Sequence, residues 1–283
     1  MTGEHVIEAI GRTRVVIRDG VVIEIGEPVI ADCPLARRFA CPVNEITPDA
    51  VKKNIENRIA TFGMCTPDRQ LSSGDDFVGF GASELTSTGL ACGLIDAAVL
   101  ACDGAGTVVV TTPEMAQGIG GRMSGLVRTS PIPKVIERIE ADGGIVPDPK
   151  TAAMNPFHGV TAAREAGFKK LLVTIAGADD AEVIRATDPE ATIIAVHTTG
   201  LSHDEVVRIA AVADIVTSCA SKEVREVCGP RALMQAGTTV PVFVLTTRGK
   251  ALLIARLTAI NHPLLINHAK LPSMGEKTPY PLV

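Results

Sequence analysis

The chain has 283 residues, 46% hydrophobic and 21% charged, so it folds around a sizeable core. A net charge of −5, no Trp, one Tyr and 3% aromatics argue against a nucleic-acid binder and against base-stacking or aromatic sugar platforms. No apolar run approaches the ~20 residues of a membrane span, and Glu4 and Glu8 interrupt any leader-like start, so the expectation is a cytoplasmic protein with no membrane partner.

Seven cysteines in that setting are reduced thiols, metal ligands or core residues rather than a disulfide framework. Residues 14–25, RVVIRDGVVIEI, form a hairpin about Asp19-Gly20. An irregular connector follows, ADCPLARRFACPVNEI. Thr47 then caps a helix whose first turn carries Pro48, whose apolar stripe is Val51, Ile55, Ile59 and Phe62, and which stops at Gly63. A helix over about 82–93 and strands at 97–101 and 107–111 come next, then a glycine-rich loop. Another helix opens at Ser130-Pro131 and closes at Gly143-Gly144.

Asp148 to Gly159 reads as a linker, which divides the chain into an N-terminal α+β part (1–150) and a C-terminal Rossmann-like part (151–283). In the latter, apolar runs at 171–175, 192–196, 214–217 and 240–245 alternate with helices. Ser202 with Glu205 forms a capping box, and Asp179 with Glu182 resembles its Asp variant. Alternation of this kind implies a parallel sheet flanked by helices, and the fold class is α/β.

Three constellations carry chemistry. In open parallel sheets ligands gather at the carboxyl ends of strands. That edge would hold Asp179, Asp180, His197, Thr198, Thr199, Ser218, Cys219 and Arg248, a set suited to acid/base or metal chemistry but equally to helix capping. The second is the stretch from Cys102-Asp103-Gly104 through Gly106 to Gly118, Gly120, Gly121 and Gly125, with Arg122 and Arg128 beside it. Such glycines permit close backbone approach, and the arginines suit a carboxylate or phosphate. An anion nest with Asp103 as acid or base is one reading, a turn between elements the other. Neither the dinucleotide fingerprint nor the Walker loop is present, so no cofactor is specified. The third is Cys33, Cys41 and Cys65, ligands for zinc or part of an iron–sulfur cluster, or simply core thiols, since no CxxC occurs. His262 and His268, six apart, match no zinc signature.

HVIEAIGRTRVVIRDG, the CPL of Cys33–Leu35, FGMCTPDR (Phe62–Arg69), CDGAGTVVV and QGIGGRMSGLVRTSPIP together resemble the methanogenesis marker protein 8 family of methanogenic archaea. The likeness is most distinct from His5 to Ile145 and continues through the C-terminal region. It implies a cytoplasmic archaeal protein tied to methane formation and carries no catalytic residues. The leading expectation is an accessory or maturation protein that partners a methanogenic enzyme complex, acting on methyl-coenzyme M reductase or its cofactor supply. The rivals are an enzyme for a small anionic ligand, held by Arg122 and Arg128 with Asp103 or His197 in acid/base roles, and a cysteine-ligated metal protein. A homodimer is the default assembly.

Overall fold

The computed structural model describes residues 3–122 and 125–283. Three antiparallel strands open the chain: β1 (Glu4–Ala9), β2 (Thr13–Arg18) and β3 (Val21–Ile25). Asp19 and Gly20 turn the hairpin with φ of 51° and 75°, the left-handed pair that a two-residue hairpin requires. A distant strand, β6 (Gly125–Arg128), adds to β1 and completes a four-stranded sheet in the order β3-β2-β1-β6. Helix α1 (Pro48–Phe62) starts at the Thr47 cap and stops at left-handed Gly63. Val51 and Ile55 bury its stripe in a core shared with Ile7, Val15 and Ile17 of the sheet.

The second sheet has seven strands, ordered β10-β11-β9-β8-β7-β4-β5. Its centre is parallel: β4 (Ala97–Cys102), β7 (Leu171–Ile175), β8 (Thr192–Ala195) and β9 (Ile215–Thr217). Both margins are antiparallel, with β5 (Gly106–Val110) folded back on β4, and β11 (Val242–Val244) between β9 and β10 (Met234–Ala236). The parallel expectation thus holds for the middle strands and fails for β11, which returns beside β9 through a hairpin with β10.

Side chains alternate across this sheet. Ala98, Leu100, Leu172, Ile194 and Ile215 face one core, closed by α2 (Ala82–Ala91), α3 (Pro113–Gly120), α4 (Pro133–Ala141) and α9 (Thr247–Ala259). Val99, Val173, Ile193, Val216 and Phe243 face the other, under α5 (Pro156–Glu165), α6 (Ala178–Thr187), α7 (His203–Val212) and α8 (Lys222–Cys228). Helices on both faces explain why the strands are continuously apolar. Strands from both sides of position 150 share this one sheet: β4 and β5, read with the N-terminal part, pair with β7.

Three local expectations are corrected. Residues 113–120 form α3, capped by Thr112 with Pro113 in the first turn, so Gly118 and Gly120 are helical and not in a loop. The stretch read as a linker already contains the start of α5, with Asn155 as its cap. Asp179 caps nothing; α6 begins after Gly177, and Asp179 pairs with Arg208 at 2.5 Å.

Candidate functional site

The loops that leave β8 and β9 at their carboxyl ends reach the four-stranded sheet, and His197 lies in the first of them. It adopts a left-handed backbone with φ of 55°, uncommon for a side chain larger than glycine. The residue is exposed to solvent, yet protein packs around its ring densely enough that desolvation holds the imidazole below its ordinary value. Gly125 is what admits the ring: a Cβ there would stand 3.2 Å from His197 Nδ1 and 3.2 Å from the Cβ of Glu8. The imidazole and the base of the Glu8 side chain therefore flank one missing methyl.

Burial raises the Glu8 carboxyl, and Arg12, 3.5 Å away, partly opposes that shift. Arg12 also donates to the Gly200 carbonyl at 3.1 Å, pinning the loop after β8 to the end of β1. Thr199 Oγ1 accepts the Ala220 amide at 3.1 Å and joins the loops after β8 and β9. Asp180, in the first turn of α6, is likewise raised by desolvation, then by Asp179. Desolvation thus holds the Glu8 carboxyl toward its protonated form and the His197 imidazole toward its neutral form.

Asp103 is placed elsewhere. It is fully buried, and its carboxylate accepts from Arg69 Nε at 2.9 Å and from the Cys65 amide at 2.5 Å. Arg69, equally buried, also donates to the carbonyls of Gly118 at 3.1 Å and Ile119 at 3.3 Å. The acid/base role expected of Asp103 is therefore corrected: with no solvent access and its lone pairs engaged, it is the internal counter-ion of Arg69. His5 closes the same polar hub. Its Nδ1 lies 2.6 Å from Thr129 Oγ1, which accepts the Gly104 amide at 2.7 Å. Sequence offered no signal for Arg69, because an arginine in a Pro-Asp-Arg turn reads as surface.

The anion nest does not assemble either. Gly118 is glycine because an added Cβ would lie 2.3 Å from the Leu71 carbonyl oxygen, and at Gly106 it would meet the Ala152 carbonyl at 2.2 Å. Gly104 has φ of 82° in the turn between β4 and β5, and Gly121 packs on Phe77. Gly120 meets no atom closer than 3.5 Å. Arg122 lies over the rings of Phe62 (5.2 Å) and Phe77 (5.7 Å), with Gln70 Oε1 at 2.6 Å. Arg128 is exposed and paired with Glu4, which also takes Arg18 at 2.8 Å. The two arginines serve different neighbourhoods, and Gly125 belongs with His197.

Cys33, Cys41 and Cys65 do not form one centre. Cys65 is buried beside Asp103, the Cys41 carbonyl accepts from Asn54 at 2.9 Å, and Cys33 packs against the core of the four-stranded sheet. Among the described residues no group of three or more His, Cys, Asp or Glu side chains converges as metal ligands. Among them too, no helix is long and apolar enough to cross a membrane.

The sequence is 40% identical over 282 residues to a protein of Methanocaldococcus jannaschii named "Uncharacterized protein MJ0054", covering 99% of both chains. No solved structure matches it. A family model described as "uncharacterized protein conserved in archaea" (DUF2099) matches residues 5–258, which span both sheets and His197. On that match the chain belongs to this archaeal family.

Proposed function

We propose that the chain is a methanogenesis-associated accessory protein that binds a small molecule at the junction of its two sheets, with His197 and Glu8 as acid/base groups. The methanogen relative and the likeness to the marker protein 8 family support the setting. One observation carries the site: Gly125 lets His197 and Glu8 approach a shared point from different sheets. Ligand sites in α/β folds lie at this edge of the sheet. Service to methyl-coenzyme M reductase or its cofactor supply is the partner role we propose for it.

Native mass spectrometry of protein purified anaerobically from a methanogen tests the reading. The expected result is a small molecule retained by the parent chain and lost from His197→Ala and Gly125→Val, with the fold intact by circular dichroism. Retention by both variants would remove this site from consideration. Co-purification of a methanogenic enzyme is expected in the same preparation, and its repeated absence would overturn the accessory role.

A further inference from the structure

Arg12 sits in the turn of residues 10–12 that joins β1 to β2, and it touches both sides of the junction. Its Nε stands 3.5 Å from Glu8 Oε2, and its Nη1 donates to the Gly200 carbonyl at 3.1 Å. That reach requires a glycine at its far end: a Cβ on Gly200 would lie 2.0 Å from Arg12 Nη1 and 3.1 Å from its Cζ. The guanidinium therefore lies across Gly200 as the His197 ring lies against Gly125. Side chains cross the junction in opposite directions, each over a glycine.

The turn that sends Arg12 across is itself fixed. Gly11 and Arg12 have φ of 75° and 57°, and Thr13 Oγ1 donates to the Ile10 carbonyl at 2.8 Å. A Cβ on Gly11 would meet Ile46 at 2.7 Å and Pro28 at 3.0 Å, so the connector packs directly on the turn. A left-handed arginine is uncommon, and such strain persists where the surroundings over-determine it. On the other side, Thr198 Oγ1 donates to the Thr217 carbonyl at 2.6 Å, and the Ser202–Glu205 capping box closes the loop at α7. These contacts tie the loop to its own sheet. Among the described residues, the Arg12–Gly200 bond is the one hydrogen bond between residues 197–201 and the β1–β2 hairpin.

We propose that Arg12 is the positioning residue of the junction, holding the Glu8 carboxylate and the His197 loop with one guanidinium and so coupling them. An ionised Glu8 keeps the guanidinium in place over Gly200, and a protonated Glu8 leaves the Gly200 carbonyl to hold it. By linkage, the seated loop favours the ionised carboxyl in return. Around the pair, Glu205 of α7 feels the Arg12 charge, Arg14 lies opposite Glu8 on β2 but is paired with Glu24, and His197 approaches across Gly125. Burial works against the ionised Glu8, and Arg12 is the cation that opposes it. The coupling rests on the reading of Glu8 and His197 as the site. It is tested without any ligand, so its failure and the failure of that reading are separate results.

The test follows the Glu8 carboxyl by carbon NMR titration of the full-length chain labelled in its glutamate side chains, with Glu8→Gln to assign the signal. Hydrogen exchange read by mass spectrometry follows residues 197–201. Arg12→Met should raise the Glu8 midpoint by at least about half a pH unit, because the cation that opposes burial is gone. Exchange in 197–201 should quicken about tenfold. Arg12→Lys should recover part of the Glu8 shift while exchange stays fast, since an ammonium lacks the planar fork that spans both partners. Gly200→Ala should move the Glu8 midpoint the same way by displacing Arg12, and should add nothing to it in an Arg12→Met background. If Arg12→Met does not fold, Gly200→Ala decides alone, and an unmoved Glu8 midpoint in it overturns the proposal. A midpoint unmoved by Arg12→Met, or a Gly200→Ala shift undiminished without Arg12, does the same.

Discussion

At the scale of single residues, the Arg69–Asp103 pair governs the join between the two sheets. Both side chains are at 0% exposure, and their 2.9 Å contact is supplemented by backbone groups on either side. Removing one member strands the other charge in the interior, which typically costs about 3–5 kcal/mol. Arg69→Met is therefore expected to lower the urea midpoint sharply, and a loss under 1 kcal/mol would show that Asp103 reaches water. His5, buried in the same hub, adds a pH dependence. Burial holds its pKa below the ordinary imidazole value, so the unfolded chain takes up a proton on acidification before the native one does. Stability should fall as pH drops below about 6.5, and His5→Gln should flatten part of that slope in urea titrations between neutral pH and pH 5. Asp103 was legible as a polar turn residue after an apolar strand. Its counter-ion, 34 positions away in a turn with no burial signal, was not.

Among the elements, α3 shows local rules and packing in conflict. Thr112 and Pro113 form the same cap and first-turn signal as Thr47 and Pro48, and both start helices. The glycines that follow argue for a loop on propensity, each costing roughly 1 kcal/mol in a helix. Packing wins because the 71–72 backbone crosses directly over Gly118. Gly118→Ala should therefore destabilise by about 1–3 kcal/mol, although alanine is the better helix former. A more stable variant by thermal melting would mean that the crossing segment is free to move. The hairpin at Asp19-Gly20, helix α1 and the capping box of α7 needed no such arbitration, since every local signal there agrees with the tertiary environment.

For the whole molecule, the seven-stranded sheet ties both halves of the chain together. A fragment of residues 151–283 would lack β4, β5 and the helices α2 to α4 that cover one face of β7 and β8. Expressed alone, it should be aggregated or lack dispersed amide signals in NMR, because an uncovered apolar sheet face cannot remain in water. A well-dispersed spectrum would show that α9 suffices as cover. The junction at His197 exists only at this scale, since Glu8 and Gly125 come from the four-stranded sheet and His197 from the loop after β8 of the other.

The α/β class, the hairpin, the middle parallel strands and the starts of α1, α2 and α7 were determined by the sequence itself. Each rests on periodicity, caps and turns, which act over a few residues. The candidate sites were decided by the tertiary structure alone. Their partners stand 34 positions apart for Arg69 and Asp103, and far further for Glu8 and His197. Nothing local records which distant charge or thiol a side chain will face. Glycines needed for close packing and glycines needed for anion binding are also identical in sequence, and only the atoms opposite them tell the two apart.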